Sequence, residues 1–268
     1  MLRTLLCLMP LLQLVYHSAA TGADLPYRES YPEITTIETP ELRAGLDRGD
    51  LLVVDVRSPV EYGVIHIEGA LNLPYGDARF TQRLQALASQ NKGKRIVVYC
   101  NGVTCIKCYK AAEDALYAGM PDVLAFDAGI SAWAETYPSL TIFEGKPLHD
   151  PEVLLASETR FKDACLDYER FLREAEENKD KTVVIDARDP VQRTRPLPGI
   201  NRTLKVPLDK LAKNIIAKGH LRDKRLLIFD QVGRQVRWLQ FLLEKNGYRD
   251  YHFLAGGATA VLRSQDYR

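Results

Sequence analysis

The chain has 268 residues, of which 46% are hydrophobic and 26% charged, with a formal net charge of +1. That length leaves room for two ordinary domains. The balanced charge offers nucleic acid no bulk electrostatic handle, so no nucleic-acid partner is expected.

Residues 1–23 read as a secretory signal peptide: Arg3, an apolar run from Leu5 to Val15, then small residues up to Ala20 and Ala23. The run is too short to span a bilayer and carries Pro10 and Gln13, so stable membrane insertion is not expected. The mature chain is therefore expected to be periplasmic or secreted. Cys7 leaves with the peptide, which leaves Cys100, Cys105, Cys108 and Cys165. These are too few and too clustered for a disulfide scaffold, and a core of this size needs none.

Short, nearly continuous apolar runs follow at Leu51–Val56, Arg95–Tyr99 and Val123–Phe126. Runs of this kind predict buried strands of a parallel sheet. Between them, Phe80–Leu87 and Cys108–Tyr117 carry helical spacing, and Gly119 ends the second. Tyr137–Glu158 has three prolines and no clear period, and reads as a linker.

The chain then repeats itself about 130 residues on, one domain length. LLVVDVRSP at Leu51 is matched by TVVIDARDP at Thr182, and IEGALNLPY at Ile67 by PGINRTLKVPL at Pro198. KRIVVYC at Lys94 is matched by KRLLIFD at Lys224, and FDAGISAW at Phe126 by FLAGGATAV at Phe253. The expected fold class is α/β: two similar domains, each a small parallel sheet with helices on both faces. The boundaries are 36–138 for the first domain, 139–158 for the linker and 159–268 for the second.

Cys100 ends one of the predicted parallel strands, at the sheet edge where ligands bind in open α/β folds. Asn101, Gly102, Val103 and Thr104 turn the chain into the next helix. Such a turn aims successive N–H groups inward, which cradles an anion and is expected to lower a thiol pKa. Lys107 adds positive charge at the mouth. Asp55, Arg57, Asp186 and Arg188 stand at strand ends and read as loop braces, with Arg57 also placed on the pocket wall. His66 reads as a turn brace, Trp133 and Trp238 as core or interdomain packing, and Cys165 as a buried thiol in an amphipathic helix.

These motifs resemble the rhodanese family of sulfurtransferases. The resemblance covers Thr39 to Pro138 through Asp55-x-Arg57, the His66-Ile67-Glu68-Gly69-Ala70 turn, Cys100 at a strand end, and Gly129 to Trp133. It implies that Cys100 attacks a small anionic sulfur donor such as thiosulfate, carries a persulfide, and passes the sulfur to a thiol or protein acceptor. Asn101, Gly102, Val103, Thr104, Cys105, Lys107 and Arg57 would line the substrate site, without metal or organic cofactor. Phe161 to Arg268 resembles the same domain more weakly. There Asp230 replaces the cysteine, which implies a non-catalytic copy, and Arg234 is given the task of neutralising it. In familiar tandem members the C-terminal copy usually holds the cysteine, and here the order is reversed. The loop is closer to a subgroup reading C-N-G-x-x-C-x-[KR]-S, with Cys108 in the Ser place.

Rival readings remain at this stage. Cys105 and Cys108 form a C-x-x-C at a helix start, which suits a thiol–disulfide oxidoreductase or a redox sensor, or a resolving role for Cys105. Both copies could instead serve as non-catalytic docking modules. An iron–sulfur or zinc site lacks a nearby fourth ligand. A phosphatase wants Arg six residues past the cysteine, where Ile106 stands.

Overall fold

A computed structural model describes residues 25–177 and 179–266, so the signal-peptide reading lies outside the described residues. In the first half the elements run α1 (Thr39–Arg48), β1 (Leu51–Asp55), α2 (Pro59–Val64), β2 (Ile65–Ile67), β3 (Leu71–Asn72), α3 (Phe80–Gln90), β4 (Arg95–Tyr99), α4 (Lys107–Tyr117), β5 (Leu124–Phe126) and α5 (Gly129–Thr136). Strands β3-β1-β4-β5 form a parallel sheet, with Val53 opposite Val97 and Val98 opposite Ala125.

Both faces of this sheet are covered, which is why its strands read as continuous apolar runs rather than alternating ones. Leu51 and Val53 point to the face packed by Leu42 of α1, Val64 of α2 and Trp133 of α5. Leu52 and Val54 point to the opposite face, against Phe80 and Leu84 of α3 and Ala111 and Ala115 of α4. Helix α2 starts at a capping box: Ser58 accepts from the Glu61 N–H, the Glu61 carboxylate accepts from the Ser58 N–H, and Pro59 opens the first turn.

The segment read as a linker holds regular structure. β6 (Thr141–Phe143) pairs antiparallel with β2, and β7 (Lys146–Pro147) extends that pair to three strands. The prolines did not prevent this, because Pro147 sits on an edge strand where no ladder N–H is required. Helix α6 (Glu152–Ala164) then leads into β8 (Cys165–Leu166). Cys165 thus lies at the end of that helix, on a strand paired with Phe253, not within an amphipathic helix.

The second half continues with α7 (Tyr168–Glu177), β9 (Thr182–Asp186), β10 (Leu204–Lys205), α8 (Leu208–Leu211), β11 (Arg225–Phe229), α9 (Gln235–Lys245), β12 (Tyr251–Leu254) and α10 (Gly257–Asp266). Its parallel sheet runs β10-β9-β11-β12-β8. Ile185 and Ile228 pack against α8 and α9, whereas Val184 and Phe229 pack against Phe171 of α7 and Val261 of α10. Helix α9 serves both halves. Its Leu239 and Leu243 join the second core, while Trp238 and Phe241 join the face of the first sheet that carries α2 and α5.

Candidate active site

The site is built where β4 ends. Cys100 leaves the sheet, the loop 101–106 turns back, and α4 begins at Lys107. Gly102 has φ +132 and Gly129 φ +64, and a Cβ on Gly129 would meet the Gly102 nitrogen at 2.5 Å and the Cys100 carbonyl oxygen at 2.6 Å. Two glycines are therefore needed for α5 to lie against the loop. The Ile130 N–H donates to the Cys100 carbonyl at 3.0 Å and the Ser131 hydroxyl to the Asn101 carbonyl at 3.0 Å, which ties the loop to α5.

Three thiols converge inside this turn. The Cys100 thiol donates to the Cys105 carbonyl at 3.1 Å, and the Cys108 thiol reaches the same oxygen at 3.8 Å. The Cys105 and Cys108 side chains both lie near enough to Cys100 to affect its titration. Cys100 is 0% exposed. The expected lowering of its pKa is not what the structure gives: burial pushes the thiol well above its ordinary range, and Cys105 and Cys108 only partly offset this. Cys105 is raised as well, first by the neighbouring Cys100 and then by burial.

Arg57 needs a correction. It is fully buried and does not wall an open pocket. Its guanidinium binds the Asp55 carboxylate at 2.6 Å, the Ile65 carbonyl at 2.6 Å and the Asn101 Oδ1 at 3.1 Å. With its donors spent on the protein, it braces the loop from behind. His66 stacks on Tyr62 at 3.9 Å and its Nδ1 meets the Tyr62 carbonyl at 2.8 Å, a brace as expected. Lys107 faces the thiols and Glu61. Burial acts to lower its pKa, but the negative charges around it, Glu61 foremost, hold it raised, so it stays cationic.

Glu61, which the sequence motifs do not single out, and Trp238, expected as core or interdomain packing, complete the site. Glu61 is buried and accepts from the Asn101 Nδ2 at 2.6 Å and the Gln235 Nε2 at 3.3 Å. Burial tends to raise its pKa, but Lys107, Arg57 and the Asn101 hydrogen bond bring it below the ordinary value. The S-P-V-E capping box was its visible signal. Trp238 donates from its Nε1 to the Asn101 Oδ1 at 2.8 Å, so α9 of the second half is bonded directly to the cysteine loop. A cavity of about 250 Å³ opens beside the loop, lined among others by Val103, Thr104, Ser131, Glu135, Arg234 and Arg237. On the other side a cavity of about 280 Å³ is lined by Lys107, Asp189, Asp209 and Gln235. Among the described residues no cluster of His, Cys, Asp or Glu is arranged to hold a metal ion.

The loop after β11 has the same backbone plan. The Ala258 N–H donates to the Asp230 carbonyl at 2.9 Å, and a Cβ on Gly257 would meet the Gly233 nitrogen at 2.6 Å. Here the cradle is filled by its own carboxylate. Asp230 accepts from the N–H groups of Val232 at 3.0 Å, Gly233, Gln235 at 2.7 Å and Val236 at 3.2 Å. Burial raises the Asp230 pKa against these bonds. The neutralising task assigned to Arg234 is thus carried by backbone N–H groups, and Arg234 instead lines the cavity beside the Cys100 loop.

Comparison with known proteins places the first half. The family described as "Rhodanese-like domain" matches residues 38–136. That match falls on the segment whose motifs resemble the family. Over 101 residues, 37% of this chain, it is 35% identical to a tRNA uridine(34) hydroxylase from Photorhabdus laumondii, of which the match covers 28%. Over 102 residues, 38% of this chain, it is 34% identical to the probable adenylyltransferase/sulfurtransferase MoeZ of Mycobacterium tuberculosis, of which 25% is covered. The chain thus spans only a quarter to a third of these relatives' lengths. A thiosulfate sulfurtransferase structure from Pseudomonas aeruginosa aligns over 89% of this chain and 47% of its own, with 21% identity and a TM-score of 0.39.

Proposed function

We propose that this chain is a sulfurtransferase in which Cys100 carries the transferred sulfur as a persulfide. The observation that carries this reading is the position of Cys100. It stands at the carboxyl end of β4, enclosed by a glycine-dependent loop, its thiol held by the Cys105 carbonyl and under the charge of Lys107.

The Cys100 thiolate attacks the outer sulfur of a small anionic donor of the thiosulfate type. The donor's S–S bond breaks, sulfite leaves, and a thiophilic acceptor later removes the sulfur in a second displacement. Fixed positive charge from Lys107 and inward N–H groups favour the anionic states on this path. Arg57 and Glu61 position the loop by gripping Asn101 from two sides. The donor reaches the thiol past Val103, which is 40% exposed, and Thr104, the loop residues that border the 250 Å³ cavity. The second half acts as a non-catalytic copy, because Asp230 can neither carry a persulfide nor admit a second anion to its filled cradle. On this reading the chain is exported and works outside the cytoplasm.

The test is sulfite release from thiosulfate with cyanide as acceptor. Wild type is expected to turn over, and Cys100→Ser to fall to background. Turnover that survives in Cys100→Ser contradicts the reading.

A further inference from the structure

The persulfide reading leaves Cys105 without a task, although it lies in the Cys100 loop and its carbonyl accepts the Cys100 proton at 3.1 Å. Cys105 lies in the loop and is partly exposed, whereas Cys108 is buried on the face of α4 that packs against the sheet. Lys107 acts on both Cys105 and Cys100, and its charge works against the neighbouring Cys100 and the burial that hold the Cys105 thiol above its ordinary range. Of the two neighbouring thiols, Cys108 is buried and Cys105 is partly exposed.

We infer that Cys105 is a resolving thiol that discharges the Cys100 persulfide as sulfide when no acceptor is bound. This rests on the persulfide reading. The Cys105 thiolate attacks the inner, Cys100-bound sulfur. The persulfide S–S bond breaks, a Cys100–Cys105 disulfide forms, and the outer sulfur leaves as hydrosulfide carrying the former Cys105 proton. The sulfane sulfur is reduced and the Cys105 sulfur oxidised, so the step needs no outside oxidant. A small dithiol reductant then returns both cysteines to thiols through the exposed Cys105 side. The loop becomes a device that limits how long the persulfide survives, and a thiosulfate-consuming, sulfide-releasing cycle follows from it.

The experiment treats the reduced chain with thiosulfate under anaerobic conditions, without acceptor, and reads sulfite, sulfide and intact mass together. Wild type is expected to release about one sulfide per sulfite and to end two hydrogens lighter than the reduced chain. Cys105→Ser is expected to hold one extra sulfur atom for each sulfite it releases, and to release at least about tenfold less sulfide per sulfite. Cys105→Ala serves as a second variant, and Cys108→Ala is expected to keep the wild-type ratio of sulfide to sulfite. A wild-type chain that keeps the extra sulfur and evolves no sulfide overturns the inference while leaving the persulfide intact. Loss of sulfide in Cys108→Ala, with Cys105→Ser unaffected, overturns the assignment to Cys105. If no form releases sulfite or gains sulfur, the persulfide reading itself has failed, and the inference with it.

Discussion

On the proposed reading Cys100 is the nucleophile, and the structure holds it as a thiol. Burial dominates its titration, and the Cys105 carbonyl accepts its proton. Below the thiol's pKa each pH unit multiplies the thiolate fraction about tenfold. The rate of sulfite release at low thiosulfate is therefore expected to keep rising from pH 7 to about pH 9, the ordinary upper thiol range. A plateau reached near pH 7 in that profile would show a thiolate already formed. Glu61 gives a second test. Its folded pKa is depressed below the ordinary value of 4.5, so the stability it contributes is present above that value and is lost as pH falls through the folded pKa. Glu61→Gln is expected to cost about 1–2 kcal/mol at pH 7, and urea titrations should show this deficit shrinking as the pH drops below the carboxylate range. A deficit independent of pH would mean that the charge of Glu61 plays no part.

At the scale of elements, the turn after β4 depends on α5 approaching it closely. Gly129→Ala places a methyl group 2.5–2.6 Å from loop backbone at a positive φ. A loss of at least about 2 kcal/mol is expected, measured by thermal or denaturant unfolding, and an unchanged midpoint would show that the loop can shift. The strands and the Cys100 loop were legible because buried parallel strands are continuous apolar runs and because the motif residues adjoin in sequence. The strands β6 and β7 were not, since β6 owes its existence to pairing with β2, a partner some 75 residues away, and the two-residue β7 to pairing with β6. Arg57 was misplaced on the pocket wall for a related reason: sequence shows a guanidinium but not the Ile65 carbonyl and Asp55 carboxylate that use it up. The thiol pKa was misjudged because N–H donors are implied by a turn, whereas complete burial by another part of the chain is not.

For the whole molecule, the decisive contact is α9 against the first half. Trp238, 3% exposed, fills the first core and bonds Asn101, and Phe143 meets Phe241 edge-to-face at 5.1 Å. Two halves that share one helix in both cores should unfold together, giving a single calorimetric transition with matching calorimetric and van't Hoff enthalpies. Trp238→Ala is expected to cost about 3–5 kcal/mol and to split or broaden that transition. Two independent transitions in wild type would contradict the coupling. The second half, with Asp230 where the first has Cys100, supplies Trp238, Gln235, Arg234 and Arg237 to the surroundings of the Cys100 loop.

The central claim is that sulfur resides on Cys100. The most direct measurement is peptide mass mapping of the Cys105→Ser chain after brief thiosulfate treatment, with Cys100→Ser in the same background as the comparison. One extra sulfur atom on the peptide bearing Cys100, absent when Cys100 is replaced, is the predicted result. Sulfur found on another residue, or equal loading without Cys100, would contradict the account.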